Sequence, residues 1–191
     1  MNLKDGTSIM KTLPARKNTR LKNYDYSNDG YYFITICTKN KQKLFSQIVE
    51  TPSINYPNIK LTPIGQCVAE TIEKANKGTV RIDKYVIMPN HIHIIIEIRR
   101  ELPVNILEQR EHGIPEIIRQ IKTFSSKRIN ELRKRNGYEP FPTNGIWQKS
   151  YHDHIIRNDE DYRRIWQYID DNPAKWKEDR YYVSSIEGGV R

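Results

Sequence analysis

Two histidines one residue apart, His91 and His93, lie in the run His91-Ile92-His93-Ile94-Ile95-Ile96-Glu97-Ile98. Successive side chains of an extended strand alternate between faces. Ile92, Ile94, Ile96 and Ile98 therefore share one face, and both imidazoles share the other with Ile95 and Glu97. Neutral imidazole is a good ligand for Mn, Zn and related ions, and with oxygen ligands beside it it can also hold Mg. Two ligands are too few for a tight site, so a third has to come from another element. His152 and His154 repeat the same spacing and form a rival pair. Asp153 between them points the other way and cannot complete that site, which leaves DNA contact or a structural role for the two histidines.

A nucleophile and the third ligand are sought near the C-terminus, where Tyr162, Ile165, Trp166 and Ile169 recur at helical spacing. Tyr168 lies about 110° from the centre of that stripe, and Asn172 stands one turn further along on the same side. A phenol oxygen and an amide oxygen can thus face one point. A phenol can attack a phosphodiester to form a phosphotyrosine while a metal polarises the phosphate, and the adduct conserves the bond energy for later rejoining. Two plainer roles stand beside this one: Tyr168 as one of 12 tyrosines on an amphipathic surface, and Asn172, just before Pro173, as a helix C-cap. Tyr151 is the rival nucleophile, but its strand position offers no ligand one helical turn away. His112, in a Gly-flanked loop, has no assigned role.

The elements that must position these groups can be read from periodicity and turn residues. Tyr31 to Thr38 is a β-branched and aromatic strand. Residues 46 to 61 are mixed and hold Pro52 and Pro57. Thr62-Pro63 then caps and opens a helix to about Asn76, ended by Gly78. Residues 79 to 88 and 91 to 98 read as strands joined at Pro89-Asn90, a hairpin turn. After a loop from 99 to 113, Pro115 opens a helix with Ile117, Ile118, Ile121, Phe124 and Leu132 near one side and Gly137 past its end. Trp147 to Arg157 reads as a further strand, and Asn158 caps a final helix whose first turn is Asp159-Glu160-Asp161. This order predicts an α+β fold, an antiparallel sheet with helices packed against it.

The chain has 191 residues, with 32 Lys plus Arg against 23 Asp plus Glu and a formal charge of +9. That length suits one domain, and the charge favours a polyanionic partner such as nucleic acid. Cys37 and Cys67 form neither a disulfide framework nor a zinc knuckle, so a reducing, cytoplasmic setting is expected. Apolar runs such as Ile94-Ile95-Ile96 are far too short to span a bilayer, and no signal-peptide stretch follows Lys4 and Lys11. Residues 1–29 read as a basic N-terminal arm, 30–177 as the domain and 178–191 as a short tail. Arg119, Lys122, Lys127 and Arg128 lie on a helix face that either is solvated or meets phosphates.

The run Tyr85-Val86-Ile87-Met88-Pro89-Asn90-His91-Ile92-His93 resembles the HUH signature of the single-tyrosine transposases, the IS200-like transposase domain. Tyr32 to Thr38, Trp147 to Asn158 and Trp166 to Pro173 are similar to the family's other blocks, in the same order, so the likeness covers about residues 20 to 177. An asparagine four residues after the tyrosine and before proline resembles the REP-associated tyrosine transposases, whereas the shorter insertion-sequence branch typically has glutamine there. The resemblance implies His91 and His93 as metal ligands, Tyr168 as nucleophile, Asn172 as third ligand, and a ferredoxin-like, RRM-like palm. It further implies cleavage of single-stranded DNA beside imperfect hairpins, with Mg or Mn, through a 5′-phosphotyrosine and a free 3′-hydroxyl. Relatives include monomers and dimers, so the oligomeric state stays open. Two other functions fit the same residues: a hairpin-binding regulator that does not cut, and a metal-dependent hydrolase that uses water at the His pair.

Overall fold

The computed structural model describes residues 24–50, 57–99 and 113–184. Residues 1–23 of the basic arm, Pro52, His112 and residues 185–191 lie outside them. Eleven elements follow in order: β1 (Gly30–Cys37), a 3-10 turn (Lys39–Lys41), β2 (Ser46–Val49), β3 (Asn58–Leu61), α1 (Pro63–Lys74), β4 (Val80–Ile87), β5 (His91–Ile98), α2 (Ile114–Arg135), β6 (His152–Ile156), α3 (Asp159–Asp171) and a second 3-10 turn (Trp176–Glu178). β4, β5, β1 and β6 form one antiparallel sheet in that spatial order, and β2 pairs with β3 in a separate small sheet. With the small sheet set aside, the chain runs βαββαβ with the strand order of a ferredoxin-like palm, and α3 is added after it. The expected α+β class is the one observed.

β5 is central and all eight of its residues are buried. Its even-numbered isoleucines join the core beneath α1 and α2, together with Ile34, Ile36, Val68, Ile72, Ile118 and Ile121. Ile95 faces the other way, into a second cluster with Val86, Ile165, Ile169 and Trp176 under α3. A strand covered on both faces can be apolar on both, so the histidine face is dry as well as the isoleucine face. Ile92, Ile94 and Ile96 are fully buried, and each contributes roughly 1.5–3 kcal/mol of apolar burial. That ladder fixes the backbone from which His91 and His93 project.

Local chemistry explains the element ends. Thr62 Oγ1 accepts from Gly65 N at 3.0 Å at the start of α1, and Asn158 Oδ1 accepts from Asp161 N at 2.8 Å at the start of α3. The Pro89-Asn90 turn is closed by Met88 N donating to His91 O at 2.9 Å. Three readings need correction. The strand expected from Trp147 begins only at His152, because the Lys122 ammonium draws the carbonyls of Gln148, Lys149 and Ser150 to itself at 2.9, 3.3 and 3.1 Å and breaks the ladder. Phe124, expected on the core side of α2, is 54% exposed. Ser125 takes the inward slot and its hydroxyl accepts from Trp147 Nε1 at 3.1 Å. The β2–β3 pair was not expected at all.

Gly65 supplies a test of the packing between α1 and the segment before β2. A Cβ there would stand 1.9 Å from the Phe45 carbonyl oxygen, which already accepts from Thr62 N at 2.9 Å. In an open helix Gly→Ala stabilises, by roughly 0.5–1 kcal/mol. Here the sign reverses: Gly65→Ala is expected to destabilise by about 1–3 kcal/mol, read as a lower urea midpoint with unchanged slope. An unchanged or raised midpoint would show that the close approach is not real.

Candidate active site

β5 and β1 carry the centre of the site. His91 Nε2 and His93 Nε2 face each other at 3.1 Å. Their other ring nitrogens are held from behind: His91 Nδ1 lies 2.9 Å from Asn90 Oδ1, and His93 Nδ1 lies 2.8 Å from Thr35 Oγ1. The Asn90 amide cannot turn over, because its Nδ2 donates to Lys41 O at 3.2 Å and Tyr181 O at 2.8 Å. Its oxygen must therefore accept from His91 Nδ1–H, which leaves the His91 Nε2 lone pair pointing at His93. Outer hydrogen bonds of this kind orient imidazoles toward a metal.

α3 and the chain after it complete the ring of groups. Tyr168 is 39% exposed, and its hydroxyl lies 3.3 Å from His93 Nε2. Its ring meets those of His93 and Phe33 edge-on, at 5.2 and 5.9 Å. Asn172 caps α3 and is 2% exposed. Its Nδ2 donates to Asp179 Oδ2 at 3.1 Å, whereas its Oδ1 is buried without a hydrogen bond. A buried acceptor with no donor calls for a missing partner, and a cation supplies one. His91, His93 and Asp179 offer ligand atoms all within 4.8 Å of one another. Two imidazoles, an orphaned amide oxygen and a carboxylate form a donor set that suits Mn or Mg. Tyr181, 6% exposed, roofs the pair with its ring 4.6 Å from that of His91.

The low dielectric sets the protonation states. Burial lowers the pKa of His91 to about 4, against the opposing pull of the Asp179 carboxylate. Burial, with the neighbouring His91 and Arg180, holds His93 well below the usual imidazole range. Burial pushes Tyr168 up to about 12; the Asp179 charge adds to this and Arg180 opposes it. Both imidazoles are thus neutral, as ligands must be. Between the ordinary pKa near 6.5 and the depressed folded value, the unfolded chain binds more protons than the native one. Stability of the metal-free protein is therefore present above about pH 6.5 and lost as pH falls toward 4. Denaturant midpoints across that window should drop more steeply for the native chain than for a His91→Ala, His93→Ala double variant; parallel curves would contradict the neutral pair.

Other residues singled out above lie elsewhere. His152 and His154 are exposed on β6, and His154 Nε2 pairs with Asp161 Oδ2 at 2.7 Å. His152 is level with Thr35 and its ring is 6.4 Å from that of Tyr181, so it stands at the rim. Tyr151 is buried in the core beneath α1 and α2, away from the His pair. On α2, Arg119 pairs with Glu116 at 2.6 Å and Arg128 with Glu70 at 2.6 Å. Lys127 is exposed, and Lys122 holds three carbonyls. These four cations sit on the helix that covers the isoleucine face, across the sheet from the imidazoles. Thr35, Asn90, Asp179 and Tyr181 have no site role in the sequence reading. Asn90 adjoins a histidine and Thr35 lies in a matched strand, but nothing in periodicity marks Asp179 or Tyr181.

Fold and site together define a ferredoxin-like α+β protein with a buried, metal-capable histidine pair and a tyrosine on the following helix. The chain belongs to the IS200-like transposase family, whose model matches residues 26–172. Membership implies an enzyme that cleaves DNA, and the family is metal-dependent. An uncharacterized protein of Haemophilus influenzae is 35% identical over 178 residues, covering 88% of this chain and 93% of its own. A candidate REP-associated tyrosine transposase of the same organism is 26% identical over 159 residues, covering 81% of this chain and 77% of its own. The solved structure of a REP-associated tyrosine transposase bound to a REP hairpin shares the fold, with a TM-score of 0.51 and 22% identity over 82% of this chain and 74% of that one. Among the described residues no helix is long and apolar enough to cross a membrane.

Proposed function

We propose that this chain is a single-strand DNA endonuclease and strand transferase that acts beside DNA hairpins, with Tyr168 as nucleophile and His91, His93, Asn172 and Asp179 as the residues that hold a divalent metal. The observation that carries this reading is the Tyr168 hydroxyl 3.3 Å from His93 Nε2, at the edge of a dry donor set with an orphaned amide oxygen. A bound Mg or Mn supplies a Lewis acid that polarises the scissile phosphate.

The chain's own residues do the rest. α3 presents the phenol oxygen at the rim of the dry site. That oxygen forms a bond to phosphorus while the bond from phosphorus to the 3′-oxygen breaks; the phenol proton leaves to solvent and the 3′-oxygen takes one up as a hydroxyl. The 5′-phosphate stays on Tyr168, and a second DNA 3′-hydroxyl can reverse the step without a nucleotide cofactor. Hairpin recognition is supported by the solved relative, which is bound to a REP hairpin, and by a formal charge of +9.

The test is incubation of the protein with hairpin-bearing single-stranded oligonucleotides and Mg or Mn, resolved on a denaturing gel. A covalent adduct to the fragment 3′ of the cut, with a free 3′-hydroxyl on the other, is expected. Metal-independent binding with no cleavage would favour a regulator. Cleavage that leaves a free 5′-phosphate and no adduct would favour a water-using hydrolase.

A further inference from the structure

We propose that Arg180 is a catalytic cation of this site, donating to a non-bridging oxygen of the scissile phosphate. The proposal rests on the reading of Tyr168 as nucleophile. Arg180 follows Asp179 in a segment tied down at several points. Lys41 Nζ donates to Arg180 O at 3.0 Å, Asn90 Nδ2 to Tyr181 O at 2.8 Å, and Tyr181 N to Asp179 Oδ1 at 2.6 Å. The guanidinium itself lies 4.7 Å from the centre of the Tyr181 ring and donates from one nitrogen to the Tyr181 hydroxyl. Tyr181 in turn packs on His91 and His93, at 4.6 and 6.1 Å between ring centres. The cation is thereby anchored to the roof of the imidazole pair.

Its place over the imidazoles, together with its free donors, indicates what it is for. Arg81, Arg99, Arg119, Arg128 and Arg164 each pair with a carboxylate. Arg133, Arg135, Arg157, Arg163 and Arg180 have no such pair among the described residues, and of these five it is Arg180 that is anchored on Tyr181 over the imidazoles. Arg180 lacks a carboxylate partner there although Asp179 is its neighbour in sequence. Asp179 is turned instead toward Asn172 and the Tyr181 backbone. A guanidinium carries five N–H donors in a planar fork that matches phosphate, and among the described residues most of those of Arg180 are uncommitted. Arg180 is also exposed, so an incoming strand can reach it. Its charge bears on both imidazoles and on the Tyr168 phenol. A cation there opposes the negative charge that gathers on phosphate oxygens as the phenol attacks.

The alternative is that Arg180 only buttresses Tyr181, and the two roles separate on a neutralised substrate. At saturating hairpin DNA and Mn, Arg180→Ala is expected to slow adduct formation by about 10²-fold, with Arg180→Lys intermediate. Mn affinity of Arg180→Ala, measured by titration calorimetry, is expected to match that of the native protein. With a methylphosphonate at the scissile position, one non-bridging oxygen charge is gone, and the gap between native and Arg180→Ala should close. Unchanged adduct rates on normal DNA would overturn the proposal. So would a gap that persists on the methylphosphonate, or a fall in Mn affinity that accounts for the whole loss, as a buttress predicts. Absence of any adduct from the native protein is a separate result, which removes the reading of Tyr168 itself and the proposal with it.

Discussion

Tyr168→Phe is expected to abolish the covalent protein–DNA adduct and to reduce strand cleavage by about 10⁴-fold or more, the scale on which removal of a nucleophile acts. The substitution deletes one oxygen and little else. The Tyr168 ring meets His93 and Phe33 edge-on, and phenylalanine keeps both contacts. The hydroxyl lies 3.3 Å from His93 Nε2, and the side chain is 39% exposed, so stability should change little. Binding of hairpin DNA, measured by anisotropy, and Mn affinity are expected to stay near native values. Cleavage that continues in Tyr168→Phe would mean that water is the nucleophile. Tyr151→Phe should leave the adduct intact, because Tyr151 lies in the core on the other face of the sheet.

The second large effect concerns the metal. His91→Ala and His93→Ala are each expected to weaken Mn binding by more than the roughly 10–100-fold that loss of an outer hydrogen bond costs, and Asn90→Ala by an amount within that range. The reason for the order is geometric. Each imidazole offers its Nε2 directly, whereas Asn90 acts through His91 Nδ1. Stability gives a readout independent of cleavage: an ion at 100 times its dissociation constant raises unfolding free energy by about 2.7 kcal/mol. Native protein should therefore melt higher with Mn, and the His variants should show little shift. An equal Mn-induced shift in His91→Ala would place the ion elsewhere.

The palm was legible because its signals are local. The isoleucine alternation of β5 marks the strand and its two faces, and Thr62 and Asn158 mark helix starts by their capping oxygens. The His pair and the turn from Tyr168 to Asn172 follow from the same periodicities. What could not be read depends on contacts between residues distant in the chain. Lys122 reaches carbonyls 26 to 28 residues away, so a long strand was expected where β6 is short. Asp179, Arg180 and Tyr181 follow Pro173 with no helical or strand period, and only the folded chain brings them onto His91 and His93. A boundary at residue 177 accordingly leaves out groups that line the site. The cations of α2 looked free in the sequence, but Arg119, Lys122 and Arg128 all have partners within the protein.

Five residues carry the central claim, Tyr168 with His91, His93, Asn172 and Asp179, and Tyr168 must bear the DNA. The most direct measurement is proteolysis of the adduct formed with a hairpin oligonucleotide in Mn, followed by mass spectrometry of the nucleotide-bearing peptide. The account predicts a nucleotide attached through its 5′-phosphate to Tyr168. Attachment at Tyr181, Tyr151 or any other residue would contradict it.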